Sequence, residues 1–250
     1  MGRFKIDEGA KRPFYGAILA IFIYIFAVSV PSFGFMEQET FTGTLRFLIF
    51  PFIAFSLFGD GFRLSRSTLK AFLLTLPLAL IAFGNLASLP FSSQINEPSF
   101  LNIDRKVLFT LMTALIEEVV FRFALMEAIA KTNLRRFDIL ISALVFGLMH
   151  LFALFGGSDP LLTLAQVGYS FLLGLLLGVA YRLGGLLPAF FLHFLFNFLQ
   201  NDLFKALGGG EWNTPFFAFN IAFFVATFAY AVFLFFRFLK NRYLEGKNLE

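Results

Sequence analysis

The sequence predicts an all-α fold, a polytopic bundle of about eight transmembrane helices. Three observations predict it. Of the 250 residues, 58% are hydrophobic and only 14% charged, whereas a soluble domain carries about 45–50% apolar and about 25% charged residues. Eight separate stretches approach the roughly 20 apolar residues that a spanning helix needs. Lysine and arginine fall mostly on one side of the alternating loops, the side that faces the cytoplasm by the positive-inside rule. A chain this apolar cannot cover itself with a polar surface. The absence of cysteine excludes disulfides, thiolate metal sites and a cysteine nucleophile.

The first stretch, Phe14 to Pro31, is too long for the apolar part of a cleaved signal, and no small-residue cleavage site clearly follows it. The second, Leu45 to Phe58, is short for a span. Leu69 to Leu89, Val107 to Ala130 and Phe137 to Phe155 follow, then Leu161 to Tyr181, Leu186 to Leu207 and Phe216 to Phe238. No soluble domain intervenes, so residues 1–250 read as one integral membrane domain. The 41 phenylalanines are read as lipid-facing and packing bulk. In the sixth stretch Gly174 and Gly178 form a G-x-x-x-G pair, a signal that another helix approaches closely.

Fifteen of the 20 basic residues group with the N-terminal tail (Arg3, Lys5, Lys11, Arg12) under the eight-span reading, and four lie opposite: Arg46, Arg105, Lys106 and Lys205. Both termini are therefore expected in the cytoplasm, and the formal charge of +4 reads as topology rather than as a nucleic-acid footprint. The last basic residue, Arg122, lies inside a span.

Ionisable groups in hydrocarbon are costly and mark functional sites. The fourth stretch holds Glu117, Glu118, Arg122 and Glu127, the fifth His150 and the seventh His193; these are the only histidines of the chain. Glu127, Asp138 and Arg182 lie near the cytoplasmic ends, where water or headgroups are expected within reach. Glu117 and His150 each fall about 20 Å from that boundary at 1.5 Å per residue, so they can face one another across antiparallel helices. Glu118 and Arg122 are four residues apart and can pair, while Glu117 is turned about 100° away and can point elsewhere. His193 and Asn197 share a face by the same spacing and present two hydrogen-bond donors.

Together, Glu117-Glu118-x-x-x-Arg122, Phe146-x-x-x-His150 and His193-x-x-x-Asn197 resemble the three motifs of the CPBP intramembrane proteases. That family includes the type II CAAX prenyl proteases and proteins linked to bacteriocin processing and self-immunity. The segment from Gly174 through Tyr181-Arg182 to Pro188 and His193 is also similar to bacterial members. The resemblance covers about 107–201, the expected catalytic core, and no motif position departs from it.

The resemblance implies an intramembrane endopeptidase acting on membrane-associated or lipidated peptide and protein substrates in the lipid bilayer, with no nucleic-acid partner, and an integral protein of the plasma membrane. It implies that Glu117 activates water as general base and that His150 helps to hold that water. His193 and Asn197 would stabilise the oxyanion, with Glu118 and Arg122 in support. These roles agree with the chemistry of the residue types. No H-E-x-x-H zincin pattern is present. Zinc on Glu117, His150 and His193 is the alternative, since catalytic zinc takes three such ligands and a water. A site with no metal and no cofactor is expected, because the resemblance gives His193 to the oxyanion and Arg122 claims the carboxylate that could orient the histidines. A non-catalytic immunity or interaction protein and a proton-coupled transporter remain alternative functions; the transporter reading lacks evident inverted repeats.

Overall fold

The computed structural model describes residue 69 and residues 73–91, 98–101, 103–209 and 214–247. The first two expected spans, Phe14 to Pro31 and Leu45 to Phe58, lie outside them. Among the described residues there is no strand, and six helical runs follow one another. They are α1 (Leu73–Phe91), α2 (residues 103–130), α3 (residues 135–156), α4 (Pro160–Gly184), α5 (residues 186–206) and α6 (Thr214–Lys247). Each coincides with one of the remaining six apolar stretches. Three of them, α1, α3 and α4, are long and apolar enough to cross a membrane. A further apolar helix segment, Ala218–Leu234, lies within α6. Many large apolar side chains face outward, among them Leu80, Leu108, Leu144, Leu164 and Ile221, as helices solvated by lipid require.

The described residues divide into two compact units. The first contains Met112–Gly178, which takes in most of α2, all of α3 and most of α4. The polar turn between α2 and α3 carries exposed Lys131, Arg135 and Arg136, as a boundary loop should. At the α3–α4 turn, Gly157 adopts a left-handed φ of 82°, which costs glycine little. Asp159 then receives the free Leu162 amide of the first turn of α4 (2.9 Å).

Glycines draw α3 and α4 together. A Cβ on Gly174 would come within 3.0 Å of the Ala143 Cα, and one on Gly178 within 2.8 Å of the Ile139 Cγ2. The close approach that the G-x-x-x-G pair predicts is thus made, and its partner is α3. Gly147 supplies the reciprocal gap, since a Cβ there would lie 2.8 Å from the Val167 carbonyl oxygen. Backbone cannot yield as a side-chain tip can, so Gly147→Ala should cost about 1–3 kcal/mol through overpacking. Gly168, on α4 with open space where its Cβ would be, is the control. Gly168→Ala should be neutral or stabilising by about 0.5–1 kcal/mol, because alanine is the better helix former. Thermal unfolding in detergent checks both; equal shifts for the two variants would deny the close approach.

The second unit contains Arg66–Leu111 and Val179–Glu250, of which α1, α5 and α6 are described. Pro77 lies in the first turn of a stretch of α1 that runs in tighter 3₁₀ geometry from Leu76 to Phe83. Tyr230 on α6 donates to the Leu74 carbonyl (2.8 Å), and Phe91 stacks on Phe219. Gly185, with φ 80°, breaks α4 from α5, and Pro188 follows in the first turn of α5, where its missing N–H costs nothing.

One sequence expectation needs correction. Asp138 is not within reach of water: it is 1% exposed, at the start of α3, where its Oδ1 accepts the Ile139 amide at 2.7 Å. A helix N-terminus offers unpaired N–H groups and a favourable dipole to a carboxylate. That substitutes for solvent.

Candidate active site

Each of the three motif-bearing helices leaves regular α geometry beside its motif. α2 widens into a π-helical stretch at Val119–Met126, immediately after Glu117 and Glu118. α5 widens likewise at Phe198–Leu203, immediately after Asn197. α3 tightens to 3₁₀ geometry at Met149–Gly156, with His150 in its first turn. Such departures are uncommon and concentrate at functional sites. They also disturb the regular backbone ladder, and buried carbonyls still need donors.

In the first unit the donor is Ser142 of α3. Its hydroxyl donates to the Phe121 carbonyl (2.7 Å) and accepts from Arg122 Nη1 (3.0 Å). One small side chain therefore serves both the widened turn and the arginine. Arg122 Nε lies 3.3 Å from Glu118 Oε2, with both side chains fully buried. This is the pair that the four-residue spacing predicts. The guanidinium also sits 5.0 Å over the Phe146 ring, a favourable cation–π arrangement in a dry environment.

Phe146 connects that pair to the histidine. Its ring packs edge-on against Phe121 (5.2 Å) and against His150 (5.5 Å, 85°). His150 is half-buried, and its Nδ1 lies 3.1 Å from the Phe146 carbonyl oxygen one turn back. A carbonyl can only accept, so in the neutral ring Nδ1 carries the hydrogen and Nε2 the lone pair. Glu117, beside Glu118, is 7% exposed. The first unit therefore holds Glu117, Glu118, Arg122 and His150, the last three linked through Phe146.

In the second unit His193 is buried and Asn197 half-buried, one turn apart on α5 as predicted. The widened turn that follows is stapled from α1. Asn85 Nδ2 donates to the Gln200 carbonyl (2.7 Å), and Gln200 Nε2 donates to the Ile81 carbonyl (2.6 Å). Thr110 donates to Asp202 Oδ2 in the same stretch (2.5 Å). Ser142, Asn85 and Gln200 are residues that sequence reasoning passes over. The available signal was weak: small or amide side chains in otherwise apolar spans, which glue helices in membranes.

Among the described residues, no three His, Asp or Glu side chains gather as a metal-ligand set.

No curated protein and no solved structure matches the chain. A family model does match residues 103–199, that of the type II CAAX prenyl endopeptidase Rce1-like family. The matched region takes in Glu117, Glu118, Arg122, His150, His193 and Asn197, every chemical residue of the three motifs. Residues 103–199 of this membrane protein are thus similar to the Rce1-like family of endopeptidases, the similarity that its motifs led one to expect.

Proposed function

We propose that the protein is an intramembrane endopeptidase that hydrolyses peptide bonds of membrane-associated or lipidated substrates with a glutamate-activated water. The observation that carries this reading is a pair of adjacent buried carboxylates, Glu117 and Glu118, within the residues that match the Rce1-like family model, with Arg122 3.3 Å from Glu118. Two neighbouring carboxylates in different surroundings can take different roles.

Glu117 accepts a proton from water as its oxygen attacks the scissile carbonyl carbon, and the carbonyl becomes a tetrahedral oxyanion. The lone pair at His150 Nε2 accepts the water's second hydrogen and orients it. His193 and Asn197 donate to the oxyanion, the position where fixed donors lower the barrier most. When the intermediate collapses, the proton held by Glu117 passes to the departing amine, and both peptide fragments are released. Glu118 and Arg122 hold the helix around Glu117. A cleavage assay with reconstituted protein, comparing wild type with Glu117→Gln, tests the proposal.

The reaction is proposed to need no bound metal and no cofactor. Elemental analysis of active purified protein checks this: about one zinc per chain, with activity lost on removal and regained on return, would overturn it.

The surroundings are proposed to be one integral domain of about eight spans in the plasma membrane, with the catalytic core at about 107–201 and both termini cytoplasmic. The Lys and Arg distribution supports that topology. Reporter fusions after Glu250 and in the Gly208–Gly210 loop should then report opposite sides of the membrane; the same side for both would exclude it.

A further inference from the structure

The contacts that hold His150 include one residue outside all three motifs. Ser170, on α4, is almost completely buried, and its Oγ lies 3.4 Å from His150 Nε2. Its place follows from the glycine seam. Ser170, Gly174 and Gly178 recur every fourth residue, so the serine continues the face that packs on α3. Gly147, which admits the α4 backbone at Val167 and Phe171, lies three residues before His150, on the adjoining turn. The close approach of the two helices thus delivers a hydroxyl to the imidazole.

We infer that Ser170 is a positioning residue for His150, a step that rests on the proposed role of His150 in holding water. Nδ1–H is committed to the Phe146 carbonyl, so the hydroxyl can meet Nε2 only as a donor. The imidazole is gripped at both nitrogens, by backbone on one side and by a rotatable donor on the other. At 3.4 Å the second contact is long and weak. It holds the ring in plane without saturating the lone pair, and it is given up when water arrives at Nε2. The rotatable hydroxyl can then turn to accept or donate elsewhere.

The test uses the full chain in lipid nanodiscs, labelled with ¹⁵N-histidine. With only two histidines in the sequence, a His193→Asn sample assigns both. Wild type should show His150 as the Nδ1–H tautomer, and Ser170→Ala should move its unprotonated Nε2 resonance downfield, with Ser170→Thr moving it back. Cleavage by Ser170→Ala should fall about tenfold in kcat, equivalent to about 1.4 kcal/mol of barrier, at nearly unchanged KM. An Nε2 resonance unmoved by Ser170→Ala would overturn the inference, and so would a loss confined to KM. A fluorophosphonate probe covalently labelling Ser170 would overturn it too, by making the serine a nucleophile. The resonance is read without any substrate, so an inactive wild type would count against the protease reading and leave the test of Ser170 intact.

Discussion

Glu117→Gln is expected to lower peptide cleavage by about 10²–10⁴-fold, the usual contribution of a general base, with the helices still folded. The substitution keeps the shape of the side chain and an acceptor oxygen, but an amide cannot take a proton from water at neutral pH. Its structural cost should be small. Arg122 retains Glu118 at 3.3 Å, Ser142 at 3.0 Å and the face of Phe146, so no cation is left stranded. The same change one residue later removes the arginine's partner and should act through folding. Two adjacent glutamates thus give opposite signatures: lost turnover with preserved stability at 117, lost stability at 118. Turnover in proteoliposomes and unfolding midpoints in detergent, measured on the same preparations, separate them. Near-wild-type turnover by Glu117→Gln would remove Glu117 as the base.

Hydropathy located all six helical runs seen among the described residues, because crossing hydrocarbon demands both length and apolarity. Spacing alone was enough for the Glu118–Arg122 pair and for the approach at Gly174 and Gly178, since both depend on neighbours a single turn apart. What could not be read is the backbone geometry at the motifs. The depth comparison between Glu117 and His150 assumed a uniform rise of about 1.5 Å, yet the 3₁₀ stretch from Met149 rises about 2.0 Å per residue and the π stretch from Val119 is wound differently. Nothing in V-V-F-R-F-A-L-M marks a wide turn. The donors that satisfy these turns come from other helices: Ser142 lies 21 residues from Phe121, and Asn85 lies 115 from Gln200. A polar residue in an apolar span reveals that it needs a partner, but not which one. Asp138 shows the converse, since proximity to a predicted boundary did not mean exposure once the end of α3 satisfied its carboxylate.

The second large effect concerns the pair itself. Glu118→Gln and Arg122→Ala should each destabilise the protein by about 3–5 kcal/mol, because each removes one half of an ion pair at full burial. In Glu118→Gln the guanidinium loses the carboxylate at 3.3 Å, and its contacts with Ser142 and the Phe146 ring are neutral. In Arg122→Ala the carboxylate loses its cation, and the aromatic face of Phe146, 5.0 Å away, borders a cavity. The double substitution Glu118→Gln with Arg122→Met removes both charges and refills most of the volume, so it should cost less than the sum of the single changes. Ser142→Ala should fall between these and wild type, at about 1.5–3 kcal/mol for a hydrogen bond to a charged group. It removes a partner of Arg122 and the donor to the Phe121 carbonyl together. Thermal or SDS unfolding of these four variants, and of Arg122→Met alone to close the cycle, gives the ordering. Additive single and double substitutions would mean that the two charges do not depend on one another. If the pair is structural in the way its burial indicates, each variant should regain cleavage at a temperature where it is still folded. Loss of turnover in a fully folded Arg122→Ala protein would instead assign the arginine to the chemistry.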